Sequence, residues 1–267
     1  MSAPRAVAGG KLLVDHPAEA VARLTISNPA KRNAMDAEIL DGIVGALAEL
    51  DARCVIVTGA DGMFSAGYDI GSFSGENLAE EAEELLAHPF TAALQALEAY
   101  PYPTLAALSG HAIGGGLELA LSCDLRIGAE GVKLGLPPAR LGLVYSHTGL
   151  RKFVDAIGAP RTRELIVLGR TIDSRTAHAW GLVNELVPAE SLPQAAIALA
   201  TEIAGNAPLS LRGNKRVIRE LLDAEFQLDP AVADELMALR EACFYSDDFR
   251  EAVMAFGEKR PPRWRGR

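Results

Sequence analysis

The triplet Gly114-Gly115-Gly116 opens a run, residues 113–124, that constrains the fold more than any other stretch of the chain. Across 117–123 every residue is apolar or small except Glu118 and Ser122, the composition of a helix built for burial that carries a carboxylate near its start. A buried acid is costly unless it is paired or used. The preceding residues 104–109 form a short apolar run between Pro103 and Gly110, the pattern of a buried strand. The order is therefore strand, glycine turn, helix.

Such a turn has chemical consequences. Glycine reaches backbone torsions closed to other residues and lets a ligand approach the main chain. The first N–H groups of a helix lack internal partners and sit at its positive end, so they suit an anion or an oxygen gaining negative charge. A phosphate site is one reading, although the run lacks both the Lys-Ser/Thr of a P-loop and the spacing of a dinucleotide turn. Tight packing without chemistry is the other, and the glycines alone do not choose between them.

With 267 residues the chain is long enough for one large domain, or a domain with a smaller appendage. A hydrophobic fraction of 49% and a charged fraction of 23% are ordinary for a globular protein in water. No apolar run approaches the roughly 20 residues needed to cross a bilayer, and residues 1–10 lack the apolar core of a signal peptide, so the expected location is the cytoplasm. A net charge of −9 argues against general nucleic-acid binding. Cys54, Cys123 and Cys243 lie far apart without metal-ligand spacing and read as reduced thiols; no metal is expected. Lys259, Arg260, Arg263, Arg265 and Arg267 crowd the C-terminus, either as a polyphosphate contact or as a solvated basic tail.

Taken in order, residues 11–16 and 21–27 predict a hairpin around Pro17, followed by the polar loop 28–33 with its cations Lys31 and Arg32. Asp36 is placed to cap a helix whose apolar residues Ile39, Leu40, Ile43, Leu47 and Leu50 follow a helical period. Residues 54–59 read as a buried strand. A second small-residue turn, Ser65-Ala66-Gly67, follows it, where α/β proteins place binding groups. Paired with the Gly114 turn, it offers a second backbone N–H to one site, as an oxyanion hole requires. The acidic stretch 76–84 predicts an exposed helical face. Residues 125–128 and 132–134 predict strands, and Pro137-Pro138 an extended segment. Tyr145, Ser146 and His147 are polar groups after an apolar run. His111 is expected to satisfy a strand end. Helix, short helix and strand follow over 161–187, then helices over 192–205, 209–224, 232–244 and 249–256, with no further strand.

Four motifs then line up in order: Asn28-Pro29-Ala30-Lys31-Arg32-Asn33-Ala34-Met35, Phe64-Ser65-Ala66-Gly67-Tyr68-Asp69-Ile70, Gly114-Gly115-Gly116-Leu117-Glu118-Leu119-Ala120, and Ala177-His178-Ala179-Trp180-Gly181-Leu182-Val183-Asn184. Together with the tail ending at Arg260, they make the chain resemble the crotonase superfamily of enoyl-CoA hydratases and isomerases over nearly its whole length. The resemblance implies an α/β spiral of ββα turns holding an acyl-CoA site over 1–200, a helical oligomerisation region over 201–267, and a homotrimer or a dimer of trimers. The substrate would be an acyl-CoA thioester, with coenzyme A as part of the substrate and no separate cofactor.

Carried over by residue, the resemblance makes the backbone N–H groups of Ala66 and Gly115 the oxyanion donors and Glu118 the catalytic acid. It places Lys31, Arg32, Ser65, Tyr68, Asp69, Gly114 and Pro138 along the substrate, and Lys259 near the CoA phosphates. Hydratases use two glutamates around a water; one matches Glu118, and the other falls at Pro138. Proline neither activates water nor delivers a proton, so the chain departs from ordinary hydration. The segment Leu141-Gly142-Leu143-Val144-Tyr145 is similar to methylmalonyl-CoA decarboxylases, which implies that Tyr145 orients a carboxylate or donates a proton. Those enzymes carry histidine where this chain has Tyr68. Decarboxylation of a short branched malonyl-CoA is the leading expectation. An isomerase or hydratase acting through Glu118 follows it, then a catalytically silent acyl-CoA binder.

Overall fold

The computed structural model describes residues 3–69, 86–225 and 227–266. Two sheets are built by one repeating move, in which each turn of the chain lays a strand in one sheet and the next strand in the other. The larger sheet begins with an antiparallel meander, β1 (Arg5–Val7), β2 (Leu12–Ala18) and β3 (Val21–Ile26). It continues in parallel through β4 (Cys54–Gly59), β6 (Thr104–Leu108), β8 (Leu125–Ala129) and β11 (Glu185–Val187). The smaller sheet runs β10 (Thr171–Asp173), β9 (Lys133–Gly135), β7 (His111–Ile113) and β5 (Met63–Ser65). Thus β4 is followed by β5, β6 by β7 and β8 by β9, each pair split between sheets; this is the expected spiral.

Helices close the turns. α1 (Ala37–Glu49) starts where Asp36 accepts a hydrogen bond from Ile39 N and buries Ile39, Leu40, Ile43 and Leu47. α2 (Thr91–Ala99) and α3 (Gly115–Leu121) follow, and six of the seven residues of α3 are buried. α4 (His147–Leu168) begins earlier than sequence periodicity indicates, because Ser146 caps it through Gly149 N, and the left-handed Gly158 interrupts its pattern midway. α5 (Ser174–Trp180) is capped by Asp173 and stopped by Gly181. The Pro137-Pro138 pair also differs from expectation: Pro138 opens a short 3-10 turn, Pro138–Leu141, since a fixed φ and a missing N–H suit the first position of a helical turn.

α6 (Leu192–Gly205) runs across residue 200 and lays Leu192, Ala196, Ala200 and Ile203 into the main core, so its whole length belongs with the spiral. The last three helices are α7 (Pro208–Glu225), α8 (Pro230–Phe244) and α9 (Asp247–Gly257). Among the described residues no helix is long and apolar enough to cross a membrane, and no cluster of His, Cys, Asp or Glu could hold a metal ion. His111 accepts from Lys133 N at 3.1 Å, satisfying a strand end as expected. Asn184 locks β8 to the α5 turn, accepting from Arg126 N at 2.8 Å.

Candidate active site

The two glycine turns interlock. Gly67 has φ +94°, and a Cβ built on it would lie 2.9 Å from Ile113 O and 3.2 Å from Gly115 N. A Cβ on Gly116 would fall 2.5 Å from Ser65 O. Only glycine at these two positions lets the strand end after β5 lie against the first turn of α3. The sequence places both turns after buried strands, and the parallel pairing of β5 with β7 brings them side by side.

Of the two expected donors, one is engaged elsewhere. Ala66 N–H donates to Arg32 O at 3.1 Å, so it is not open to a ligand. Met35 N donates to Gly67 O at 2.8 Å and Asp69 N donates to Met35 O at 3.1 Å, a parallel bridge that flanks Tyr68. A residue between two ladder bonds turns its own N–H to the other side. Among the described residues, Tyr68 N–H and Gly115 N–H have no hydrogen-bond partner. The open amide on the first turn is therefore that of Tyr68, two residues past the expected Ala66. Periodicity cannot reveal this, because the partner that occupies Ala66 comes from the Arg32 loop.

Beside these amides sits a buried cluster of one acid and two phenols. Glu118 is only 3% exposed, and Tyr145 donates its hydroxyl hydrogen to Glu118 Oε2. Burial pushes the Glu118 carboxyl up to about 7, while the Tyr145 hydrogen bond and the charge of Arg240 pull it the other way. Burial likewise raises the Tyr145 and Tyr68 phenols well above the usual range, with the nearby Glu118 adding to the shift. The Tyr68 ring lies over Gly115, its Cζ 3.0 Å from where a Cβ there would stand, and packs edge-on against Phe90 at 4.7 Å between centroids. The Tyr68 hydroxyl interacts with Tyr145.

The remaining expected residues divide. Gly114 adopts φ 56°, ψ −124°, donates to Gly135 O and accepts from Leu117 and Glu118 N–H, which sets the start of α3. Ser65 is fully buried; its hydroxyl donates to Asn33 O at 2.8 Å and accepts from Gly67 N at 3.1 Å, so it shapes the turn and is not available to a substrate. Lys31 is exposed and paired with Asp69 at 3.2 Å, and Arg32 is exposed in a left-handed conformation. Pro138 is buried in its 3-10 turn. Lys259 is exposed at φ 55°. The basic tail is only partly free, since Arg260 is bound by Glu251 and Glu258. The acidic stretch 76–84 and Ile70 lie outside the described residues.

Two contributors escape sequence reading. Asn33, fully buried at φ 54°, donates to Ala60 O at 2.8 Å and Met63 O at 2.7 Å and accepts from Asn28 N, fixing the loop that holds Ser65. Asparagine in a Pro-containing loop is the signal that points to it. Arg240, on α8, acts on the cluster from a helix that carries no motif.

The family model described as enoyl-CoA hydratase/isomerase matches residues 16–267. A Thermus thermophilus protein named as an enoyl-CoA hydratase is 36% identical over 255 residues, spanning 91% of this chain and 97% of the relative. The 2,3-dehydroadipyl-CoA hydratase of Escherichia coli is 29% identical over 248 residues, spanning 91% and 94%. Among solved structures, methylmalonyl-CoA decarboxylase in complex with 2-nitronate-propionyl-CoA superposes with a TM-score of 0.87 at 26% identity, covering 96% of this chain and 99% of that one. The same enzyme's name with 2S-carboxypropyl CoA gives 0.85 at 26% identity, covering 96% and 98%.

Proposed function

The chain belongs to the enoyl-CoA hydratase/isomerase family of the crotonase superfamily, and from that premise we propose that it stabilises a thioester enolate and decarboxylates a short branched malonyl-CoA such as methylmalonyl-CoA. The observation that carries this reading is the Tyr145 to Glu118 hydrogen bond beside two open amides, with Pro138 where a hydratase would place its second acid.

In this mechanism the thioester oxygen accepts from Tyr68 N–H and Gly115 N–H. The bond between the α-carbon and the carboxylate breaks, CO2 leaves, and its electron pair passes into the carbonyl as an enolate. Each oriented amide contributes most once that oxygen is negative, about 3 kcal/mol or a hundredfold in rate. The α-carbon then takes a proton from Tyr145. Near pH 7 the Glu118 carboxyl is partly protonated, and in that form it donates to the phenol oxygen, freeing the phenol hydrogen to be transferred and replacing it. The Tyr68 ring over Gly115 narrows the space above the amides, which favours a short acyl group. Lys31, Arg32 and, from a neighbouring subunit, Lys259 are the cations for the CoA phosphates; Asp69 holds Lys31.

Incubation with methylmalonyl-CoA or ethylmalonyl-CoA is expected to release CO2, and release at the uncatalysed rate would reject the proposal. A second reading is favoured by the single acid near pH 7, since one such carboxyl can lift a proton from one carbon and return it two atoms away. Conversion of a 3-enoyl to a 2-enoyl thioester, lost in Glu118→Gln, would select that isomerase. Tight binding without turnover across both substrate classes would select a silent acyl-CoA binder.

A further inference from the structure

We infer that Arg240 is a specificity-determining residue that favours acyl groups bearing a carboxylate, placed beside the aromatic cluster of Tyr68, Phe244 and Phe249 that adjoins the open amides. The guanidinium of Arg240 sits 5.7 Å over the Phe244 ring, one turn further along α8. Phe244 packs edge-on against the first-turn Phe249 of α9, 5.5 Å between centroids, and Tyr68 packs against this aromatic pair. The same Tyr68 ring covers Gly115. One continuous chain of contacts therefore links the cation to the open amides.

Arg240 is only partly exposed, and no carboxylate lies within ion-pair distance of it among the described residues. Its charge reaches Glu118, Tyr145 and Tyr68 alike. A cation half withdrawn from water beside an aromatic face, with no carboxylate of the described residues at ion-pair distance, is the arrangement that receives an anion from outside the protein. The net charge of −9 makes a local cation more necessary, because an acidic acyl chain otherwise approaches a repulsive surface.

The inference rests on the acyl-CoA reading of the site but not on turnover, so its test uses two unreactive thioethers. 2-Carboxypropyl-CoA carries the acid, and 2-methylpropyl-CoA has a methyl group in its place. Wild type is expected to prefer the acid. Arg240→Gln should weaken the acid by about tenfold or more while leaving the neutral thioether within about twofold, and Arg240→Lys should restore part of the difference. Unchanged neutral binding also reports that the variants are folded. Equal losses for both ligands, no loss for either, or no preference in the wild type would overturn the assignment. Selective loss of the acid in a protein that releases no CO2 from methylmalonyl-CoA would leave Arg240 in this role and remove the decarboxylation.

Discussion

Tyr145 gives its hydroxyl hydrogen to Glu118 Oε2, tying the loop ahead of α4 to the one acid buried in α3. The contact resolves the cost raised by a carboxylate in an apolar helix: the charged form gains a donor, and the neutral form is favoured by burial. The acid is thereby held close to half ionisation near neutral pH, the condition under which it can both take and give a proton.

Replacing Tyr145 by Phe removes the donor but keeps the ring that packs near Phe153. Glu118 then rises further above its ordinary range, because the hydrogen bond had been pulling it down. Turnover of methylmalonyl-CoA is expected to fall about a hundredfold, with the basic limb of the rate profile moving to higher pH. Binding of an unreactive acyl-CoA should change little, and steady-state kinetics across pH alongside calorimetry separates the two effects.

Glu118 also leaves a mark on stability. Its folded-state value, about 7, lies above the ordinary 4.5, so the stability it allows is complete below about pH 4.5 and is lost as pH rises through about 7. The penalty above that point is about 3 kcal/mol, since one unit is about 1.4 kcal/mol. Glu118→Gln should unfold at higher urea than wild type near pH 8 and lose most of that advantage near pH 5. Equal pH slopes in the two proteins would show that the carboxyl is not burdened as described.

Gly67 is held at φ +94° against the backbone of Ile113 and Gly115. Alanine there meets strain and contact together, so Gly67→Ala is expected to cost at least about 2 kcal/mol in urea unfolding and to abolish the proposed turnover by parting the two turns. Ordinary stability with full turnover would contradict the interlock.

The sequence made the framework legible and the donors less so. Hydrophobic alternation and Asp36 located β2, β3 and α1, and the run 54–59 matched β4, because burial on one face or both leaves a period that a chain cannot hide. The Gly114 turn and Glu118 were visible for the same reason. Ala66 misled because whether an amide is open depends on a carbonyl from a distant loop, Arg32 O, and no local pattern encodes that pairing. The resemblance set Ser65 along the substrate, yet its hydroxyl closes the turn on Asn33. Arg240 resembled any solvated helix cation until α8 was folded across the site.

The same loop predicts a large effect from Asn33. Alanine there removes the side-chain donor shared by Ala60 O and Met63 O and puts a less tolerant residue at a left-handed backbone position. A loss of about 2 to 4 kcal/mol in urea unfolding is expected, together with lower turnover as the turn carrying Tyr68 loosens. A variant as stable as wild type would remove Asn33 from the site's framework.

α7 presents its polar side inward. Lys215 donates to Asp124 Oδ2 at 2.7 Å and Tyr102 O at 3.1 Å, Arg212 lies over the Tyr102 ring, and Arg151 pairs with Asp223 at 3.0 Å. The helix buries none of its residues in the single chain, while Leu209 is 83% and Leu221 65% exposed, with Val217 and Ile218 also outward. An amphipathic helix docked by its charges leaves an apolar stripe in water, an arrangement that becomes favourable once a second surface covers it. The expected cover is another copy of the chain, in a trimer or a pair of trimers. The double variant Ile218→Glu with Leu221→Glu should therefore sediment as a monomer with its Lys215 contacts intact, where wild type sediments as the assembly. Because Lys259 is proposed to reach a neighbour's CoA, the monomer should also bind acyl-CoA more weakly, and a wild-type protein that sediments as a monomer would remove both expectations at once.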